Sequence, residues 1–132
     1  MLYSTSLTAI AGSSDVVERG FVTYSNEAKS ELLGVPPETI AAHGAVSAET
    51  AAAMARGALA RAPVDLTISV TGVAGPGGGS VAKPIGLVIF GLARRNGPCR
   101  TAERHVFDGD RSAVRQGALQ VALELLVAEA RS

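Results

Sequence analysis

The stretch Thr71-Gly72-Val73-Ala74-Gly75-Pro76-Gly77-Gly78-Gly79-Ser80 follows an alternating apolar run and stops at Lys83-Pro84, which is how a glycine loop at a strand end is written. Glycine admits positive φ and close approach of a ligand, and successive bare N–H groups form a concavity that attracts anions. The ligand this chemistry suggests is a phosphate-bearing small molecule. Neither standard nucleotide loop is present: no Gly-Lys-Ser/Thr closes the stretch, and Ser80 stands where the last glycine of G-x-G-x-x-G would fall. A plain tight loop between two strands is the alternative. His43 and His105 are isolated, no His, Cys or carboxylate cluster has metal-ligand spacing, and Cys99 has no disulfide partner. The residues call for no metal and no other cofactor.

The elements around the loop are read from period and punctuation. Met1 to Ala11 reads as a helix remnant, and Gly12 to Asp15 as a turn. Gly20-Phe21-Val22-Thr23-Tyr24 is aromatic and β-branched, which favours a strand. Ser25 can cap the helix that follows, and Gly34 with Pro36 stops it. Ser47 is a second N-cap, with Glu49 in the first turn of an alanine-rich helix running to about Arg61. The small surface of that helix suits close packing on a neighbour. Val64 to Val70 alternates as a strand with one face in the core and leads into the loop. Ile85 to Ala93 is apolar on both parities, as a central strand covered on both faces requires. Arg94 to Pro98 is a hairpin turn by composition, and Thr101 to Phe107 a more polar strand nearer an edge. Val114, Ala118, Val121, Leu125 and Ala128 recur at helical spacing in a last helix, from about Arg111 to Ala130, which Asp110 can cap. One layered α/β domain accounts for residues 1–132.

Composition narrows the partners. The 132 residues carry a formal net charge of +0, so there is no electrostatic footprint for nucleic acid or for an anionic membrane. No apolar run approaches the roughly 20 residues a spanning helix needs. With a single cysteine and no signal-peptide pattern, the cytoplasm is the expected compartment.

Five separated blocks carry a resemblance. These are Arg19-Gly20-Phe21-Val22-Thr23-Tyr24-Ser25-Asn26-Glu27-Ala28-Lys29, His43-Gly44-Ala45-Val46-Ser47, Thr71 to Gly78, Lys83-Pro84-Ile85-Gly86, and Phe107-Asp108-Gly109-Asp110-Arg111. In this order they resemble the CinA C-terminal domain family, over a stretch from about Leu7 to the terminal helix. The resemblance implies a three-layer α/β/α sandwich. It also implies a nicotinamide-nucleotide amidohydrolase, which hydrolyses the carboxamide of nicotinamide mononucleotide to nicotinate mononucleotide and ammonia. The family's name suggests a role in DNA uptake or damage response, against which the neutral charge argues.

Roles for individual residues follow from the same resemblance. Tyr24 and Lys29 match the family's proton-transfer pair, in which an ammonium would favour the phenolate. Thr71 matches a position where its hydroxyl, or the Gly72 N–H, could donate to the substrate or the oxyanion. Gly75, Gly77 and Gly78 would bring backbone N–H groups to the ligand, a pyridine mononucleotide. Arg111 would pair with the phosphate at a positive helix end, assisted by Arg115 one turn on. Taken without the family, Lys29 reads as a solvated helix residue, Tyr24 as a rim aromatic and both arginines as an exposed helix face.

The departure is at the front. Family members begin with a strand ending in Ala-Glu-Ser-Cys-Thr-Gly-Gly, whose serine is the nucleophile, and that motif does not occur here. The expectation is a chain lacking the first strand and the nucleophile, with Ser4 and Ser6 placed along a helix instead. Two readings follow: an amidohydrolase with its binding half and Tyr24/Lys29 in place, or a non-catalytic nucleotide-binding or oligomer-forming module of the same fold. A sheet edge without its neighbour invites pairing with another chain, so a homo-oligomer is expected.

Overall fold

A computed structural model of the chain describes residues 18–73, 83–96 and 102–131. The expectations for Met1 to Ala11, for the turn at Gly12 to Asp15, for Ser4 and Ser6 and for Gly75, Gly77 and Gly78 lie outside the described residues. Helix α1 is Asn26–Leu33, started by the Ser25 hydroxyl, which accepts from Ala28 N at 3.0 Å, and ended by Gly34 in the left-handed region at φ 65°. Helix α3 (Ala48–Ala60) is started by Ser47, which accepts from Thr50 N at 3.1 Å. Between them lies α2, Pro37–His43, with proline in its first turn. Pro36 reads in sequence only as a stop, yet it is the N-cap of this helix, and a proline at the first helical position, Pro37, loses no hydrogen bond and has its φ already set.

The described strands form one antiparallel sheet in the order β1-β2-β3, with β1 Leu66–Gly72, β2 Leu87–Arg94 and β3 Ala102–Val106. Register pairs Val70 with Phe90 and Phe90 with Glu103. β2 is central, and side-chain alternation divides it between two helical layers. Val88, Phe90 and Leu92 face Val114, Ala118, Ala122 and Leu125 of α4 (Arg111–Arg131), while Leu87 and Ile89 face Ala51 of α3. The α/β class and the α/β/α layering are as expected. Phe90 has no exposed surface, and its burial with that of Leu87 and Leu92 supplies most of the apolar gain at the sheet's centre. On α4 the buried stripe passes through Ala122 and ends at Leu125; Ala128 is exposed.

Small residues let α3 lie close on the sheet. Thr67, Ser69 and Thr71, alternate residues of β1, donate their hydroxyls to Ala55 O, Ala51 O and Ala45 O at 2.7, 2.6 and 2.9 Å. Gly91 sits beneath the same helix, where an added Cβ would lie 2.1 Å from Ala51 O. Alanine-rich composition thus serves close approach, and the row of hydroxyls keeps the polar groups between the layers bonded.

One expected element is absent as such. Residues 20–24 form no ladder with the described strands. Phe21 instead packs on the cluster of Leu33, Val35, Ala53 and Met54 between α1 and α3. Aromatic and β-branched composition reports a half-buried surface as much as a paired backbone, and here it is the burial that the sequence recorded.

Candidate active site

Lys29 is placed by α1. Its backbone N–H bonds Ser25 O at 3.2 Å in the first turn, and its side chain is only 6% exposed. Nζ donates to Thr23 O at 3.1 Å. Burial penalises the charged ammonium and lowers its pKa below the ordinary lysine value. The solvated-helix reading of Lys29 is therefore excluded by position. Tyr24 stands at the opposite extreme, 89% exposed at the rim. The lysine's hydrogen bond goes to the carbonyl of Thr23 and not to the Tyr24 phenol, so the two side chains share a location without a direct bond.

Thr71 is buried at 8% exposure, and its hydroxyl proton is committed to Ala45 O. The donor at this strand end is then the neighbouring amide. Val73 N donates to Leu87 O at 2.8 Å, and Asp65 O accepts from Arg95 N at 2.9 Å, so the odd-numbered backbone groups of β1 face β2. Alternation turns the Gly72 N–H to the other edge. Glycine is required here by the close approach of β2, since a Cβ would lie 2.8 Å from Leu87 O.

A cleft of about 750 Å³ runs along that edge of β1. Tyr24, Lys29, Thr71, Gly72, Arg111 and Arg115 all line it. Arg111 and Arg115 come from the first turns of α4, whose start is capped by Asp110 Oδ1 accepting from Ala113 N at 2.9 Å. The cap places two guanidinium groups on the side where Gly72 presents its N–H. Farther along, the wall is apolar, with Leu66, Leu119, Leu123 and Leu126. These leucines of α4 were passed over in sequence, although their spacing of four and three is the signal of a second apolar stripe beside the first. Chemically the arrangement offers a buried amine, a phenol at the rim, an amide donor and two cations for an anion. Gly75, Gly77 and Gly78 lie outside the described residues, and no group of three metal-ligating side chains gathers among those that are described.

The blocks singled out in sequence are also tied to one another at this end of the sheet. Gly86 N donates to Val73 O at 2.6 Å, and Phe107 N to Gly86 O at 2.9 Å. Gly86 has φ 94°, and a Cβ there would lie 2.1 Å from Phe107 O, so glycine alone permits this junction. A second, shallower groove of about 450 Å³ lies between α2, α3 and the start of β3, with His43, Glu49 and Arg56 on its walls.

Comparison with known proteins agrees with this architecture. The sequence model of the CinA C-terminal domain matches residues 2–130. The nicotinamide-nucleotide amidohydrolase PncC of Escherichia coli K12 is 52% identical over 120 residues, covering 91% of this chain and 72% of that protein. A CinA-like protein of Syntrophobacter fumaroxidans is 49% identical over 125 residues, covering 95% of this chain and 29% of its own length. The chain thus spans under a third of the longer relatives and most of the shorter ones. Among solved structures, the competence/damage inducible protein CihA of Agrobacterium tumefaciens superposes with a TM-score of 0.89 at 48% identity, over 96% of this chain and 77% of that one. The competence damage-inducible protein A of Klebsiella pneumoniae superposes at 0.87 with 38% identity, over 95% and 76%.

Proposed function

This chain belongs to the CinA C-terminal domain family, and we propose that its cleft binds a pyridine mononucleotide and serves hydrolysis of the carboxamide of nicotinamide mononucleotide to nicotinate mononucleotide and ammonia. The observation that carries this is convergence: six side chains or amides from the 20–29 segment, the end of β1 and the start of α4 line one cleft. The name of the E. coli relative supports the substrate class.

In this reading Arg111 and Arg115 hold the phosphate by charge-assisted hydrogen bonds. The Gly72 N–H faces the carboxamide oxygen and stabilises the oxyanion of the tetrahedral intermediate. Thr71 acts by holding that amide in place, since its own proton is engaged. Lys29, whose pKa burial lowers, and Tyr24 at the rim form the proton-transfer pair that takes the proton of the attacking hydroxyl and supplies one to the departing ammonia. The attacking hydroxyl is that of the family's Ser-Cys-Thr-Gly-Gly segment, which does not occur in these 132 residues. The alternative reading is a nucleotide-binding or oligomer-forming module with the same cleft. The compartment expected for this reading is the cytoplasm, and the partner a small-molecule pyridine mononucleotide, with no nucleic acid or membrane.

The test measures ammonia release from nicotinamide mononucleotide, together with calorimetric binding, for the chain and for a form preceded by the serine-bearing segment. Turnover by either supports the hydrolase. Binding by both without turnover supports the module, and absence of binding in both overturns the assignment of the cleft.

A further inference from the structure

Two of the five blocks, His43 to Ser47 and Lys83 to Gly86, have no part in the chemistry above. The structure brings them together. Helix α2 ends at His43, where the last carbonyls of a helix lack intrahelical partners and carry partial negative charge. Three consecutive carbonyls at this turn each accept from a side chain. His43 O accepts from Lys83 Nζ at 2.7 Å. Gly44 O accepts from Ser47 Oγ at 2.9 Å and Thr50 Oγ1 at 2.7 Å. Ala45 O accepts from Thr71 Oγ1 at 2.9 Å. Gly44 itself has φ 85°, and a Cβ there would lie 2.5 Å from Lys83 Nζ, so a glycine is what admits the ammonium to the turn.

We propose that Lys83 is a positioning residue of the cleft: with Thr71 it clamps the end of β1 and the 83–86 segment to the single turn at His43 to Ala45, and so sets the direction in which the Gly72 N–H meets its ligand. Gly72 lies next to Thr71, whose hydroxyl is held by that turn, and the 83–86 segment bonds the same strand end through Gly86 N and Val73 O. The turn itself is pinned from α3 by Ser47 and Thr50, of which Thr50 is wholly buried. The Lys83 ammonium sits on a helix-terminal carbonyl, and the segment it belongs to has the buried start of β2, Leu87, directly behind it.

This inference rests on the proposal that the cleft binds a pyridine mononucleotide, and its test separates the two. Nicotinamide mononucleotide is titrated into the full chain and its K83M, K83R, T71V and K83M/T71V variants. Loss of one side-chain bond to the turn weakens binding roughly fivefold in K83M, the size of a typical net hydrogen bond. K83R, which keeps a cationic donor, restores affinity to about the wild-type value. Because both bonds act through one turn, the double variant loses less than the product of the single effects. Unchanged binding in K83M, equal loss in K83M and K83R, or strict multiplication of the two effects overturns the clamp. Amide hydrogen exchange at Val73 and Gly86 reads the clamp independently of any ligand: K83M raises it roughly fivefold while K83R does not, by the same hydrogen-bond magnitude. Exchange unchanged in K83M refutes the clamp even if the nucleotide binds, and raised exchange without nucleotide binding upholds the clamp while refuting the ligand.

Discussion

Gly91 is the position where the layering of this fold is most exposed to a single methyl group. A Cβ added there would lie 2.1 Å from Ala51 O and 2.4 Å from Ser69 Oγ. Ordinary contact begins near 3.4 Å, and one of the obstructing atoms is helix backbone, so α3 must lift by roughly 1 Å along this line. The overpacking alone costs about 1–3 kcal/mol. Lifting the helix also lengthens the Thr67 and Ser69 hydroxyl bonds to Ala55 and Ala51, each worth about 1 kcal/mol net. If half of that hydrogen-bond energy is lost, G91A destabilises by roughly 2–4 kcal/mol, a large part of the roughly 5–15 kcal/mol that holds an ordinary domain. At about 3–6 °C per kcal/mol for a chain of this size, the melting temperature falls by roughly 6–24 °C. The assay is urea and thermal unfolding followed by far-UV circular dichroism. A drop of less than about 3 °C would show that the helix is not seated on the sheet as described.

Three further outcomes follow from the site. Burial lowers the Lys29 pKa, so between its folded value and the unfolded value near 10.5 the unfolded chain holds a proton that the folded chain has released. Stability therefore rises with pH through that window, the burial penalty being complete below it, and K29M flattens the slope on the acid side of pH 10.5 in urea titrations. Equal slopes for the two proteins would contradict the burial of the amine. R111A weakens binding of nicotinamide mononucleotide by about tenfold or more, as loss of a charge-assisted bond implies, and leaves the phosphate-free nicotinamide riboside nearly unaffected. Equal losses for both compounds would remove Arg111 from the phosphate. G57A brings a Cβ to 1.8 Å from Leu33 O and drives α1 from α3; destabilisation exceeds about 2 kcal/mol by denaturant unfolding, and a neutral result would refute the crossing.

The elements that were legible are those whose signals are local. Ser25, Gly34 and Ser47 end helices by bonding or turning their own neighbours, and the structure puts the caps there. The apolar run of β2 announced burial on both faces, which its central place confirms. What was illegible depends on contacts far apart in the chain. The 20–24 segment has strand composition because Phe21 must be buried, and composition does not distinguish burial against helices from pairing in a sheet. Gly91 looks like any glycine in a strand until Ala51 is laid over it. The site shows the same division. Tyr24, Lys29 and Arg111 were named through the family's motif order, whereas the commitment of the Thr71 hydroxyl to Ala45, the burial of Lys29 and the docking of Lys83 on His43 appear only in three dimensions.

The central claim is that one cleft along β1 receives the nucleotide. Its most direct test is a nitrogen–proton correlation NMR titration of the full chain with nicotinamide mononucleotide. The account predicts shift changes concentrated at Thr23 to Lys29, at Thr71 and Gly72, and at Arg111 to Arg115, saturating together. No response, or a response confined to the groove at His43, Glu49 and Arg56, would contradict it.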